Sequence, residues 1–114
     1  MHIRVTAREL IASDETLEEI VRVLKEYQPE KIILFGSRAR RQSDEYSDYD
    51  LILIKRTERA FLDRMQDIVP YLVKIPYQVE VLIYTPEEFE NMADIGFGWM
   101  VKQEGVVIYE RSSR

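Results

Sequence analysis

Three acidic side chains and one glycine–serine pair hold most of the chemistry that these residue types could support. Asp48 and Asp50 stand two apart at the head of an apolar run, Leu51-Ile52-Leu53-Ile54. Side chains two apart on an extended strand share a face, so the two carboxylates form a hard-oxygen pair suited to Mg2+. Like charges that close repel, and a cation between them removes the penalty. The apolar continuation sets the pair at the lip of a sheet; solvated carboxylates at a frayed strand start are the plain alternative. Glu80 lies inside a second apolar run with Val79, Val81, Leu82 and Ile83. A carboxylate there needs a partner or a metal. If its strand lies beside that of Asp48, Glu80 completes a triad; otherwise it is an edge residue facing water.

Gly36-Ser37 closes a short β-rich run, Lys31 to Phe35, and a short helix or turn follows. Backbone N–H groups at a helix start, beside a serine hydroxyl, make an anion site suited to phosphate oxygens. Glycine lets the main chain approach closely. The same dipeptide also serves as an ordinary strand-to-helix turn with a serine cap. Arg38, Arg40 and Arg41 form a basic patch next to it, able to bind phosphate by charge-assisted contacts or to face water. Tyr46 and Tyr49 flank the aspartates; partial burial is expected of them, with stacking on a base or acceptor as the alternative. His2, the sole histidine, is given no role.

The elements that must position these groups follow from pattern. Ser13 or Asp14 caps a first helix running to about Tyr27, with Leu17, Ile20, Val21 and Leu24 as its apolar stripe. Pro29 ends it. Lys31 to Phe35 reads as a buried strand, Ser37 to about Gln42 as a short helix, and Asp48 to Ile54 as a central strand, apolar on both faces in its latter half. Thr57 is expected to cap a second long helix, with Phe61, Met65, Ile68 and Leu72 at helical spacing. Pro76 leads into a third strand, Gln78 to Tyr84. Thr85-Pro86-Glu87-Glu88 starts another helix. Gly96 and Gly98 are expected to break the pattern before a segment from Trp99 to Gln103, which Gly105 stops. Val106 to Tyr109 reads as an edge strand, with a frayed end after it. Trp99, with Phe97 and Met100, is expected to pack on the sheet, a partner interface being the alternative.

Only about five residues separate the short helix from the Asp48 strand. That is too few for a parallel crossover, so the first two strands are expected to be antiparallel. The whole reads as one α/β (α+β) domain over residues 1–114, with a mixed sheet of about four strands flanked by helices.

Bulk composition narrows the function classes. The chain has 114 residues, 46% hydrophobic and 32% charged, a composition that argues against disorder. The absence of cysteine excludes disulfides, thiolate catalysis and cysteine-ligated zinc. The net charge of −5 argues against non-specific nucleic-acid binding. No signal peptide and no run long enough to span a membrane is visible, so the expected setting is cytoplasmic.

The order of the chemical features resembles the nucleotidyltransferase superfamily related to polymerase β, in which G-S precedes D-x-D. Gly36-Ser37, ten residues, then Asp48-Tyr49-Asp50 is similar to the form found in minimal nucleotidyltransferases, the MNT proteins. Leu34-Phe35-Gly36-Ser37-Arg38-Ala39-Arg40, Ser47-Asp48-Tyr49-Asp50-Leu51 and the terminal Gln103-Glu104-Gly105-Val106-Val107-Ile108-Tyr109-Glu110 also resemble that group, from Ile20 to Glu110. The resemblance implies the nucleotidyltransferase fold, and two Mg2+ ions held by Asp48, Asp50 and Glu80. It implies ATP as substrate, with Gly36, Ser37, Arg38 and Arg40 binding its phosphates, and pyrophosphate as leaving group. The family usually has aspartate where Glu80 falls and often glycine where Arg41 falls.

Larger relatives carry a further domain for the acceptor, and the chain is expected to borrow that half of the site from another chain, in a homo- or hetero-oligomer. MNT proteins are often paired with a HEPN-domain toxin, and the resemblance implies an antitoxin that adds AMP to a tyrosine of that partner. A small-molecule adenylyltransferase completed by another chain, and an antitoxin that neutralises by contact with little catalysis, are the alternatives.

Overall fold

The short link between the first two strands decides the sheet. In the computed structural model, which describes residues 7–12, 14–40, 42, 44 and 47–112, β1 (Lys31–Phe35) and β2 (Tyr49–Ile54) are antiparallel, with Lys31 opposite Ile54 and Phe35 opposite Asp50. The crossover from β2 contains α4 (Asp63–Leu72), and it delivers β3 (Val79–Tyr84) parallel to β2. β4 (Val106–Glu110) pairs antiparallel with the other side of β1, giving the order β3-β2-β1-β4. The mixed four-strand α+β sheet expected from pattern is the one observed. One register places the C-terminal end of β1 at the same sheet edge as the N-terminal ends of β2 and β3.

Asp14 caps α2 (Glu15–Leu24), its Oδ1 accepting from the Leu17 N–H at 3.0 Å. A 3-10 turn, Lys25–Tyr27, extends the helix before Pro29. Ser13, the other expected cap, lies outside the described residues, as do His2, Arg41 and Tyr46. Upstream, α1 (Ala7–Ala12) packs on α2 and β4; nothing in its pattern marked it, because six residues hold no full apolar stripe.

Three expectations fail locally, the third being the packing of Trp99 described below. Thr57 does not cap the second long helix: its Oγ1 accepts from the Arg59 N–H, closing a local turn, and α4 starts only at Asp63. The buried Arg64 reaches back to the Arg59 carbonyl at 2.9 Å and so fixes that turn. Phe61 therefore lies outside the helix, against Tyr84. The second failure concerns the glycines. α6 (Gly96–Glu104) includes both Gly96 and Gly98. A Cβ on Gly98 would meet the Ala93 carbonyl oxygen at 2.0 Å, so the residue permits a close approach where a break was expected. By contrast, α5 (Pro86–Glu90) starts as read, with a full capping box between Thr85 and Glu88.

The sheet's two faces are unequal. Leu34, Leu51, Leu53, Val81 and Ile83 pack beneath α2 and α4, against Leu17, Ile20, Leu24 and Ile68. The opposite face buries only a small cluster, Ile33, Phe35, Ile52, Ile54 and Val101, under α5 and α6. Trp99 is not part of it. The inward stripe of α6 runs through Gly98 and Val101, which leaves Trp99 51% exposed; Phe97 reaches the sheet only by an edge contact on Phe35. No helix among the described residues is long and apolar enough to cross a membrane.

Candidate active site

β-Strand alternation puts Asp50, Ile52 and Ile54 on the thinly covered face. The parallel register then sets Glu80 beside Asp50, and the antiparallel one sets Phe35 on its other side. Gly36 follows Phe35 directly and has φ +74°, a conformation that L side chains rarely adopt. A Cβ there would stand 2.5 Å from Asp50 Oδ2. Glycine is therefore required twice over, by its backbone conformation and by the carboxylate packed against it.

The next three residues complete α3 (Gly36–Ala39), one helical turn closed by the Arg40 N–H on the Gly36 carbonyl and followed by the Gln42 N–H on that of Ser37. So short a helix has little macrodipole. What it offers an anion is a set of first-turn N–H groups and the half-buried Ser37 hydroxyl.

Asp50 and Glu80 touch. Burial pushes the Asp50 carboxyl up to about 6, reinforced by the hydrogen bond to Glu80 and by the charges of Glu80 and Asp48, while Arg40 opposes the shift. Asp50 thus keeps its proton above the usual carboxylate range, chiefly because it is buried and further because a second carboxyl group lies against it. Glu80 thus has the partner its apolar strand demanded, although it sits exposed on an edge strand. Asp48, half-buried, stands one residue before β2 and acts on Asp50 through its charge. Among the described residues no three acidic or imidazole groups are drawn into a finished metal cage. The donor set nonetheless fits a hard divalent cation: oxygens only, negatively charged, and mutually repelling until a proton or a cation intervenes.

The two described arginines of the basic patch differ. Arg40 extends over the surface, its Nε donating to Gln42 Oε1 at 3.1 Å and its Nη1 to Glu104 Oε2 at 3.0 Å. Arg38 turns inward. Its Nη2 and Nε donate to the Ser47 carbonyl at 2.8 and 3.3 Å, and its guanidinium lies 4.1 Å from the centre of the Tyr49 ring. Tyr49 is buried, as expected, and donates its hydroxyl to Asp14 Oδ2 at 2.8 Å. Burial and that bond push the hydroxyl up to about 12.

Residues 18–114 match the family model "Polymerase beta, Nucleotidyltransferase". The chain belongs to the polymerase beta nucleotidyltransferase family. Solved structures share its fold. A candidate nucleotidyltransferase from Sulfolobus solfataricus superposes with a TM-score of 0.62 at 22% identity, covering 97% of this chain and 93% of that one. A toxin–antitoxin structure with AMP-PNP gives 0.59 at 16% identity, covering 82% and 73%. The toxin–antitoxin structure MntA–HepT gives 0.53 at 14%, covering 84% and 71%. Comparison with curated protein sequences gives no match.

For this nucleotidyltransferase-family chain, two neighbours of the site had escaped sequence reading. Asp14 was legible as a helix cap, but not as the acceptor for Tyr49, 35 residues away. Glu104 had a place in the terminal segment, but its ion pair with Arg40 spans 64 residues and has no local signal.

Proposed function

We propose that the chain transfers the adenylyl group of ATP to a hydroxyl of a partner protein, with Asp48, Asp50 and Glu80 holding divalent metal and Gly36, Ser37 and Arg40 receiving the triphosphate. The observation that carries this reading is the register that seats Asp50 between Gly36 and Glu80 at one sheet edge. The metal, two Mg2+ ions in this proposal, neutralises triphosphate charge and polarises the α-phosphoryl group.

The chain's own groups divide the remaining work. Asp48, Asp50 and Glu80 present oxygen donors. The first-turn N–H groups of α3 and the Ser37 hydroxyl orient the β- and γ-phosphate oxygens. Arg40 exchanges its exposed pair with Glu104 for a phosphate oxygen, a small sacrifice since surface ion pairs are worth about 0–1 kcal/mol. The acceptor oxygen bonds to the α-phosphorus as the bond from that phosphorus to the α,β-bridging oxygen breaks. Pyrophosphate departs, and the hydroxyl proton passes to the Asp50–Glu80 pair.

The likeness in fold to toxin–antitoxin structures, one solved with AMP-PNP, supports ATP as donor and a partner protein as acceptor; in this proposal the acceptor is a tyrosine of a HEPN-domain toxin and the setting is the cytoplasm. The exposed Glu80 at the site's rim supports an acceptor brought by a second chain. The test is incubation with α-labelled ATP, Mg2+ and the product of the neighbouring gene, beside an Asp48→Ala/Asp50→Ala control. Label on the partner, absent from the control, is the expected result. An unlabelled partner that the double variant still binds with full affinity would show neutralisation by contact alone.

A further inference from the structure

Arg38 belongs to the basic patch beside Gly36-Ser37, yet its hydrogen bonds run to the opposite end of the loop. Both of the bonds described above end on the carbonyl of Ser47, the residue before Asp48. The same guanidinium lies over the ring of Tyr49, the residue after it. Asp48 stands outside β2, which starts at Tyr49, so the sheet ladder does not hold it on its N-terminal side. We infer that Arg38 is a positioning residue for Asp48, gripping the main-chain carbonyl before it and the aromatic ring of the residue after it, and thereby fixing the carboxylate offered to the metal.

Both jaws of this clamp are anchored further out. The Ser47 hydroxyl bonds to Asp44, accepting from its N–H at 3.1 Å and donating to Oδ1 at 3.3 Å. Tyr49 is held through its N–H on the Gln78 carbonyl and its hydroxyl on Asp14, the residue that also caps α2. The position calls for arginine in particular. A planar fork can give two N–H groups to one carbonyl while its face lies on an aromatic ring, whereas a lysine ammonium is a point charge that cannot do both. Arg40 supplies the contrast within one turn of helix: its partners are exposed side chains, free to exchange for phosphate.

The inference rests on the metal-dependent reading of the site, so its test includes a measurement that needs no turnover. Arg38→Lys keeps the charge and loses the fork; Arg38→Met keeps the length and loses the charge. For both, Mn2+ binding is followed by electron paramagnetic resonance with a non-hydrolysable ATP analogue, below the melting transition of each variant. Mg2+ activation and the KM for ATP at saturating Mg2+ are measured alongside. The expected result is Mn2+ binding weakened about tenfold in both variants, the effect of losing an outer partner of a metal ligand. Excess Mg2+ then restores turnover, and the KM for ATP stays within about twofold of wild type.

Unchanged Mn2+ binding in both variants would overturn the inference. So would a raised KM for ATP in Arg38→Met with a normal value in Arg38→Lys, the pattern of a phosphate ligand. Should the wild-type protein bind Mn2+ through Asp48 and Asp50 yet transfer no AMP, adenylyl transfer falls, while the Mn2+ arm still decides the role of Arg38.

Discussion

The two faces of the sheet differ in what they are built to do. One is roofed by α2 and α4 and buries most of the large aliphatic side chains. The other has a small cluster beneath α5 and α6, and the acidic residues emerge at its rim. Adding apolar cover there would have strengthened the core and closed the edge where Asp50 meets Glu80. The thin face accepts like charges in contact, a glycine in a left-handed conformation and an exposed tryptophan, and the thick face supplies the stability that lets it do so. The same division explains why Asp50, although half-buried, is a poor candidate for a stabilising residue.

Substitutions on the two faces should therefore separate activity from stability. The largest effect is expected for Asp50→Asn. Losing a ligand that contributes several kcal/mol to charge stabilisation lowers transfer by about a thousandfold, each 1.36 kcal/mol being tenfold. Thermal melting of the metal-free variant should show no loss of stability, because the folded state disfavours a charged Asp50. On the thick face, Leu24→Ala opens a cavity in a fully buried site and should cost about 2–5 kcal/mol in denaturant unfolding, with transfer per folded molecule retained. A unified core, in which both substitutions reduce stability alike, would break the comparison.

Gly36→Ala joins the two properties. Its positive φ and the clash with Asp50 Oδ2 predict a loss of about 1–3 kcal/mol, together with impaired transfer as the carboxylate is displaced. Smaller still is the pH effect. Asp50 rises from 3.8 to about 6 on folding, so the folded state binds its proton more tightly than the unfolded chain does. That contribution is fully present below about pH 4 and is lost as pH rises through about 6. In EDTA, the stability of wild type relative to Asp50→Asn should fall across this window; a constant difference would show that folding does not raise the Asp50 carboxyl. Trp99→Ser, on the exposed side of α6, should shift unfolding by no more than about 0.5 kcal/mol.

Much of this asymmetry was legible in the sequence. The continuous apolar run from Leu51 to Ile54, apolar on both faces, marked a central strand, and the five-residue link favoured antiparallel pairing with β1. The spacing of Asp48 and Asp50 led to the expectation of one shared face, but β2 starts only at Tyr49, which leaves Asp48 one residue outside the strand. The adjacency of Glu80 could only be conditional, since it depends on which strand β3 joins and in what register. Thr57 misled because a threonine before a periodic segment looks the same whether it caps a helix or closes a turn. The difference is made by Arg64, reaching back from inside α4. Gly98 and Trp99 misled for a related reason: whether a glycine breaks a helix or lets a loop approach it is set by Ala93, a neighbour that periodicity does not see. Arg38 and Arg40 are identical as letters and diverge only once the loop before Asp48 is folded.

The account stands on the claim that nucleotide and metal meet at the rim of the thin face. A crystal structure with Mn2+ and a non-hydrolysable ATP analogue tests it most directly, using the anomalous signal of manganese. The account predicts manganese peaks bounded by Asp48, Asp50 and Glu80, with the β- and γ-phosphates on Gly36 and Ser37. Triphosphate at the far end of the sheet instead, in the open depression lined by Arg56, Thr57, Glu58, Thr85 and Glu87, with no manganese at the aspartates, would contradict it.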